Sequence, residues 1–312
     1  MTLQNILDAT RAESQVREHK YPPAVIQREL ERMGPTRGLA RALREKPFSV
    51  IAEIKRESPS MGRINSDAIQ AAHEIYSTHP VVSAISVLTQ NAQFGGSMED
   101  LETMRKLTQS HPKPILRKDF IFSEYEILFS RWIGADAILL MASVVDDKAT
   151  FKRFHDLAVS IGLDVLCEVH DAAEIELLPD TVKICGINSR RFKGVAQKQP
   201  IWLKLQHSLF GATSANRDTQ TDLAAFDLFE RLEAALPAGC LKIAESGISA
   251  DNVDRVLRKY RFNAALIGTS LLKSRNRQAM IAALDKIQSE ADAVCSESSP
   301  GSPLKRRASY AV

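Results

Sequence analysis

Six polar side chains, five of which can transfer protons or carry charge, each lie near the end of a short apolar run. They are Glu53, Lys55, Lys118, Glu168, Asn188 and Glu245. Carboxylates and ammonium groups act as general acids and bases, and an amide can orient a hydroxyl group. Polar groups that recur where buried strands end are typical of the mouth of a parallel barrel, where enzymes with this fold have their active sites. The pattern therefore predicts an enzyme.

The apolar runs have the length and composition of strands that are buried on both faces. We count eight of them, over residues 48–54, 82–88, 114–116, 137–141, 164–169, 183–187, 241–244 and 264–267. Amphipathic helical patterns separate them, with Ser97, Ser123 and Ser249 as predicted N-caps. Eight strand–helix repeats in about 250 residues predict an α/β protein with the (β/α)8 TIM barrel fold. An open doubly wound sheet is disfavoured because no glycine-rich fingerprint follows the first run.

The composition fits one large domain. The 312 residues are 44% hydrophobic and 25% charged, which is enough to bury a substantial core. The net charge of +3 gives no sign of a nucleic-acid partner, which usually needs a strongly basic surface. No apolar run approaches the ~18 residues of a membrane span, and the polar N-terminus is unlike a secretory signal. We expect a cytoplasmic protein with no nucleic-acid and no membrane partner.

The predicted barrel covers residues 48–294, and three segments are predicted to be additions to its strand–helix repeats. Residues 1–47 form an N-terminal helical extension that caps an end of the barrel or lies over its mouth. The insertion at 195–218 is too apolar for a linker, and its helical spacing favours a short helix, either a lid or a contact with a second subunit. Residues 295–312 are Ser- and Pro-rich and are predicted to be a disordered tail. Its basic cluster is typical of a solvated terminus rather than a nucleic-acid patch.

The groups at the predicted mouth suggest distinct chemistry. Glu53 and Lys55 are two residues apart on one strand, so both face the same side and can position an anionic substrate; the alternative is a structural salt bridge. Burial is expected to lower the pKa of Lys118 and to raise that of Glu168, so that both exchange protons near neutral pH. Asn188 can orient a hydroxyl group, and Arg190 is a natural clamp for an anion.

Two glycine-containing segments predict a phosphate site. Ser246 and Gly247 follow the seventh run, and Gly268 and Thr269 follow the eighth. Phosphate groups in this fold are frequently bound by the loops after strands seven and eight, where glycine lets the backbone approach the anion. Ser58, in a turn-forming stretch after the first run, adds a hydroxyl group that can bind an oxyanion.

The cysteines and histidines give no sign of a metal site. The four cysteines lack zinc or redox spacing and are interpreted as buried or bystander thiols, with Cys167 and Cys185 inside predicted strands and Cys240 just before one. No metal and no cofactor are expected. Among the seven histidines only His170, just past a strand end, is placed so that it could reach the mouth, and we favour its interpretation as a surface histidine.

Six segments, taken together, resemble the motifs of the indole-3-glycerol phosphate synthase family. They are EIKRESPSMG (53–62), LRKDF (116–120), CEVHD (167–171), GINSR (186–190), AESGI (244–248) and LIGTSLL (266–272). They occur in the family's order, and the resemblance extends over residues from about 3 to 290. The insertion at 195–218 departs from the family pattern, and so does Ser189, where a second Asn is common.

The resemblance implies a reaction and a set of roles. The substrate, 1-(2-carboxyphenylamino)-1-deoxyribulose 5-phosphate, would be cyclised with loss of CO2 and water to indole-3-glycerol phosphate, by a monomer or homodimer. Lys118 matches the general acid of ring closure, and Glu168 matches its acid/base partner in dehydration. Glu53, Lys55, Asn188 and Glu245 match the other catalytic or substrate-orienting positions. The positions that hold anionic groups of the substrate are matched by Ser58, Arg190, Ser246, Gly247, Gly268 and Thr269.

Two other classes stay open at this stage. A different phosphate-binding barrel enzyme, such as phosphoribosylanthranilate isomerase, would share the fold but should use a Cys and an Asp, and no Cys is predicted at the mouth. A catalytically silent paralogue that acts in binding or assembly would explain the insertion and the tail. The presence of all six candidate catalytic groups argues against it.

Overall fold

Short runs rich in Val, Ile and Ala form eight strands that close into a parallel barrel in this computed structural model. The structure describes residues 2–58, 62–64, 66–92, 94–190, 222–272 and 274–297. The strands are β1 Ser49–Ile54, β2 Val82–Leu88, β3 Ile115–Lys118, β4 Ala137–Met141, β5 Asp164–Val169, β6 Ile184–Asn188, β7 Leu241–Glu245 and β8 Ala264–Ile267. Each pairs with the next in sequence, and β8 pairs with β1. The predicted TIM barrel is confirmed.

The predicted strands differ from the observed ones only at their ends. The bounds of β2, β4, β5 and β8 are as predicted, whereas β1, β3 and β6 begin one residue later than expected. Three strands, β3, β6 and β7, continue to the polar residues Lys118, Asn188 and Glu245. The apolar pattern stops before these residues, because at the mouth the strand continues while its inward-facing side chains become polar.

Helices surround the barrel and precede it. They are α1 Leu3–Lys20, α2 Pro23–Leu30, α3 Leu39–Arg44, α4 Ser66–Thr78, α5 Met98–Leu107, α6 Glu124–Trp132, α7 Lys148–Ser160, α8 Ala172–Ile175, α9 Asp222–Glu233, α10 Thr269–Leu272 and α11 Ser274–Glu297. Ser97 and Ser123 accept N-terminal amide hydrogens of α5 and α6, as predicted for N-caps. At Ser249 the contacts are made by the backbone: its amide donates to Asn252 Oδ1 at 2.9 Å, its carbonyl oxygen accepts the amide of Val253 at 3.0 Å, and the π-helical segment Arg255–Lys259 follows.

The N-terminal helices cover both ends of the barrel. At the ends where the strands begin, the amide of Ala40 in α3 donates to Asp164 at 2.9 Å, and the preceding amide of Arg37 donates to Asp136 at 2.8 Å. At the opposite end, α1 packs on the last residues of β2 and β4 and on the loops that follow β2 and β3. Leu3, Ile6 and Leu7 belong to the same buried apolar cluster as Leu88, Phe94, Phe120 and Met141, and Thr10 of α1 accepts from Gln90, two residues after β2. The extension therefore closes the bottom and lines part of the mouth.

A buried ion-pair network connects α1 to the outside of β3. Arg117, which is fully buried, faces the helix layer and donates to Asp119 at 2.8 Å and to Glu126 of α6 at 2.7 Å. The other oxygen of Glu126 accepts from Arg17 of α1 at 2.7 Å and from Ser14 at 2.5 Å. Charged groups buried in this way are tolerated because they are paired and hydrogen-bonded. The network fixes α1 to β3 and α6.

Two predicted segments lie wholly or largely outside the described residues. The insertion at 195–218 lies outside the described residues, as does the tail from residue 298 onward. Helix α11 runs to Glu297, so the tail begins at least three residues later than the predicted residue 295. Among the described residues, no helix is both long enough and apolar enough to cross a membrane.

Candidate active site

A two-residue period places the candidate catalytic groups inside the mouth. Ile51, Leu116, Leu166 and Ile243 belong to the apolar interior of the barrel, and Glu53, Lys118, Glu168 and Glu245 each follow one of them by two positions. Side chains two residues apart on a strand face the same side. The polar groups therefore form a layer directly above the apolar core, at the end where the strands finish.

Lys118 is the centre of this layer. Its Nζ atom lies 3.3 Å from Glu168 Oε2 and 3.2 Å from Glu245 Oε2. Burial disfavours the charged form of this lysine, but the carboxyl groups of Glu245, Glu168 and Glu53 outweigh burial and raise its pKa above the ordinary value. The expectation of a lowered pKa was wrong, because sequence shows burial but not the three carboxyl groups that converge on the lysine. Lys118 therefore keeps its proton at neutral pH.

The two carboxyl groups that flank Lys118 differ in protonation. Burial raises the pKa of Glu245 to about 8, helped by the nearby charge of Glu168 and only partly opposed by Lys118. Burial acts on Glu168 as well, but Lys118 and His170 outweigh it and lower its pKa below the ordinary value. Two carboxyl groups that share a site cannot both ionise easily, so one carries the proton. The predicted rise at Glu168 was wrong, and the raised group is Glu245.

Glu53 and Lys55 form the predicted pair at the end of β1, with Lys55 Nζ 2.6 Å from Glu53 Oε2. Burial opposes ionisation of Glu53, but Lys55, Lys118 and Arg190 outweigh it and lower its pKa. Gly268 leaves the space that this pair needs: a Cβ atom there would overlap Glu53 Oε2 and lie 2.9 Å from Lys55 Nζ. A side chain at this position would displace the ion pair, a consequence that the motif alone did not indicate.

Gly186 leaves space for the carboxyl group of Glu245, as Gly268 does for Glu53, and this role was not predicted from the sequence. A Cβ atom at Gly186 of β6 would overlap Glu245 Oε1 and lie 3.2 Å from Leu166 Cδ1. The signal was a glycine inside a buried strand, which often marks close approach of another group.

Asn188 and Ser246 join the ends of β6 and β7. Ser246 Oγ donates to Asn188 Oδ1 at 2.7 Å, and the same oxygen accepts the backbone amide of Arg190 at 3.0 Å. Ser246 and Gly247 both have positive φ, of 67° and 70°, so the chain turns sharply above the mouth. The side chain of Arg190 is exposed, yet near enough to lower the pKa of Glu53.

The remaining predicted anion-binding residues lie at two places. Thr269 begins the short helix α10 directly after Gly268. Ser58 lies in a two-stranded hairpin, Glu57–Ser58 with Gly62–Arg63, that follows β1.

His170 is not a surface residue, and its interpretation as one was wrong. Only 2% of it is exposed, because it directly follows β5 and is covered by the start of α8. Its Nε2 atom lies 3.3 Å from Glu168 Oε1, and its Nδ1 atom lies 3.1 Å from Glu174 Oε2. The sequence signal was its position two residues after Glu168.

An apolar wall borders Lys118 and was not predicted. Phe94 and Phe120 stack with ring centroids 6.2 Å apart, at an angle of 25° between their planes. Leu88, Met141 and the apolar side of α1 complete the wall. The sequence shows these residues only as scattered hydrophobic positions in loops, at strand ends and in a helix.

The described cysteines lie away from this site. Cys167, Cys185 and Cys240 are buried in the layer between barrel and helices, as predicted for bystander thiols.

The family model and the sequence relatives agree on one family. The family model described as "Indole-3-glycerol phosphate synthase" matches residues 3–198. Relatives with that name include proteins of Lachnospira eligens, 36% identical over 79% of this chain and 82% of the relative, and of a Nocardioides species, 33% identical over 92% and 99%. Among solved structures, 3-hexulose-6-phosphate synthase from Salmonella typhimurium matches 78% of this chain and 100% of that one, at 12% identity with a TM-score of 0.54. That last likeness shows the barrel fold alone.

Proposed function

Because this chain belongs to the indole-3-glycerol phosphate synthase family, we propose that it converts 1-(2-carboxyphenylamino)-1-deoxyribulose 5-phosphate to indole-3-glycerol phosphate, with loss of CO2 and water. It is a carboxy-lyase of tryptophan biosynthesis. The observation that carries the proposed mechanism is the position of Lys118 Nζ, between Glu168 and Glu245 in the barrel mouth.

The reaction needs two proton donations and one proton removal. In ring closure, the ring carbon that carries the carboxylate bonds to the ketone carbon, and the ketone oxygen takes a proton. Loss of CO2 then returns the bonding electron pair to the aromatic ring. In dehydration a second proton goes to the departing hydroxyl group, and a base takes a proton from the methylene carbon next to nitrogen. Each turnover therefore consumes one proton.

Lys118 is the general acid of ring closure. The carboxyl groups around it raise its pKa and keep it protonated. A protonated amine in a partly enclosed site can donate directly to the developing alkoxide and then stabilise what remains of its charge.

Glu245 and Glu168 divide the work of dehydration. Glu245, with a pKa of about 8, is protonated at neutral pH and can donate to the departing hydroxyl group. Glu168, with its lowered pKa, is ionised and can accept the methylene proton. Neighbouring carboxyl groups whose environments separate their pKa values commonly take opposite parts in acid/base catalysis. Asn188 orients the hydroxyl groups of the substrate.

The anionic groups of the substrate have separate partners. Lys55, held by Glu53, is placed to meet the carboxylate. The phosphate group is assigned to the ends of β7 and β8, at Ser246, Gly247, Gly268 and Thr269. Ser58, after β1, and Arg190, after β6, are the other proposed positions for the anionic groups of the substrate. The apolar wall of Phe94 and Phe120 offers the aromatic ring a surface beside Lys118.

The test is incubation of the purified chain with the carboxyphenylamino substrate. Indole fluorescence should rise, with one CO2 released for each indole formed, and inorganic phosphate should compete with the substrate. Absence of indole with correctly folded protein would reject the proposed function.

Location and assembly stay predictions from sequence. We propose that the enzyme acts in the cytoplasm as a monomer or homodimer, which fractionation and a mass measurement in solution would check.

A further inference from the structure

His170 lies between two carboxyl groups at the edge of the site. Its Nε2 atom is 3.3 Å from Glu168 Oε1, while Glu168 Oε2 is 3.3 Å from Lys118 Nζ. Its Nδ1 atom is 3.1 Å from Glu174 Oε2, which also accepts the backbone amide of His170 at 2.6 Å. Glu174, His170, Glu168 and Lys118 therefore form a continuous row of contacts.

We propose that His170 is a positioning residue for the reaction, which holds the Glu168 carboxylate ionised and turned toward Lys118 while Glu174 fixes the imidazole ring. This inference rests on the proposed function, because Glu168 is there the base of dehydration. His170 acts through Glu168 and not on the substrate.

The burial of Glu168 makes such a partner necessary. No part of Glu168 is exposed to solvent, and a buried carboxylate is costly unless its oxygens face cations or hydrogen-bond donors. Lys118 faces one oxygen and His170 faces the other. Without His170, Glu168 would face burial with Lys118, the carboxyl group of Glu245 and the amide of Asn188 as its remaining stabilising partners.

The far side of the ring is also fixed. Glu174 lies in α8, and its own amide donates to Asp171 at 2.9 Å, so the start of this helix holds the carboxylate in place. Glu174 Oε2 hydrogen-bonds Nδ1, and Nε2 meets Glu168 Oε1 as an ion-pair contact that exists while the imidazole is protonated. A histidine that served packing alone would not need an oriented carboxylate on each nitrogen.

Two substitutions separate positioning from packing. The amide nitrogen of Gln reaches the position of Nε2, so His170→Gln keeps a donor toward Glu168, whereas the shorter side chain in His170→Asn places its amide near Nδ1, toward Glu174. We expect kcat to fall about 10- to 100-fold in His170→Asn and only about 2- to 10-fold in His170→Gln, with little change in KM. The reverse order would overturn the inference, because it would show that only the contact with Glu174 matters.

The pH profile gives a second readout. Glu168 is faced by Lys118 from β3, Asn188 from β6, Glu245 from β7 and His170, and His170 is faced by Glu174 from α8. Loss of His170 removes a group that lowers the pKa of Glu168, so more of it is protonated at a given pH. The acidic limb of kcat/KM should move to higher pH in His170→Asn, and an unmoved limb would contradict the inference.

A matched control excludes general damage. His155 in α7 is another buried histidine, with Nδ1 3.2 Å from Asp156, and His155→Gln should leave kcat and the pH profile unchanged. The carbon-13 signal of the Glu168 carboxyl group, assigned with Glu168→Gln, gives a readout that is independent of turnover. It should titrate at higher pH in His170→Asn than in the unsubstituted chain. An unchanged titration would overturn the inference, whether or not the chain is active on the proposed substrate. Inactivity by itself would reject only the proposed function.

Discussion

The Nζ atom of Lys118 lies within 3.3 Å of two carboxyl groups, those of Glu168 and Glu245. Removing its ammonium group should cost about 2.7 kcal/mol or more of transition-state stabilisation, a factor of ~100 or greater in turnover. Lys118→Ala should therefore be nearly inactive in the fluorescence assay while melting close to the unsubstituted chain. Lys113→Ala is the matched control, since Lys113 lies just before the opposite end of the same strand, where its Nζ donates to backbone oxygens of Tyr76 and His79. Wild-type turnover in Lys118→Ala would contradict the assignment.

The raised pKa of Glu245 predicts where activity declines on the alkaline side of the pH profile. Its pKa is raised to about 8, so it is protonated below that pH and loses its proton above it. If Glu245 donates to the departing hydroxyl group, kcat/KM should decline above about pH 8. Glu245→Gln keeps the shape but cannot donate an acidic proton, so activity should be low and this limb should disappear. Measurement of kcat/KM between about pH 6 and pH 10 checks both outcomes.

The protonation of these groups was the part of the site that sequence predicted least well. Strand ends, facing directions and the identity of the polar groups followed from the two-residue period around Glu53, Lys118, Glu168 and Glu245. The directions of the pKa shifts did not, because they depend on which charges converge across the barrel. Residues on separate strands meet there although many positions separate them, 127 in the case of Lys118 and Glu245.

At the level of elements, the docking of α1 depends on a single buried carboxylate. Burial opposes ionisation of Glu126, but Arg117 and Arg17 outweigh it and lower its pKa. Glu126→Gln leaves Arg117 buried with one carboxylate fewer, and should lower the free energy of unfolding by roughly 3–5 kcal/mol near neutral pH. Glu124→Gln is the control, because Glu124 on the same helix forms only an exposed pair with Arg153, worth ~0–1 kcal/mol.

The contribution of Glu126 to the free energy of unfolding depends on pH in a defined direction. Because the folded pKa of Glu126 lies below its ordinary value, its stabilising contribution is present above the unfolded pKa of about 4.3 and is lost as the pH falls through the folded pKa. The stability difference between the unsubstituted chain and Glu126→Gln should therefore narrow below about pH 4. Urea unfolding at several pH values measures it, and a constant difference would show that Glu126 is not ionised in the fold.

At the level of the whole molecule, one N-terminal extension serves the two ends of the barrel differently. Leu39 of α3 and Ile6 of α1 are both fully buried, so replacing either with Ala should cost about 2–5 kcal/mol. Only Ile6 belongs to the helix that packs at the mouth, so only Ile6→Ala should also impair turnover at a temperature where both variants are folded. Equal activity of the two variants would show that α1 contributes stability alone.

Sequence predicted the existence of this extension but not its division between the ends. Amphipathic patterns locate helices along the chain, yet they do not show which surface a helix covers. Here the surface is chosen by specific partners, Asp136 and Asp164 at the bottom and the aromatic pair Phe94 and Phe120 at the mouth. These partners are distant in sequence and carry no pattern of their own.

The opposite directions of Arg117 and Lys118 constrain how this gene can change in length. Inserting or deleting one residue within β3 would turn every following side chain to the other face, placing a permanently charged guanidinium in the mouth and the proton-donating amine among the helices. Segments between elements carry no such restriction, and residues 189–221 separate the end of β6 from the start of α9. Lineages of this enzyme should therefore accumulate length variation in the connections while each strand keeps its number of residues.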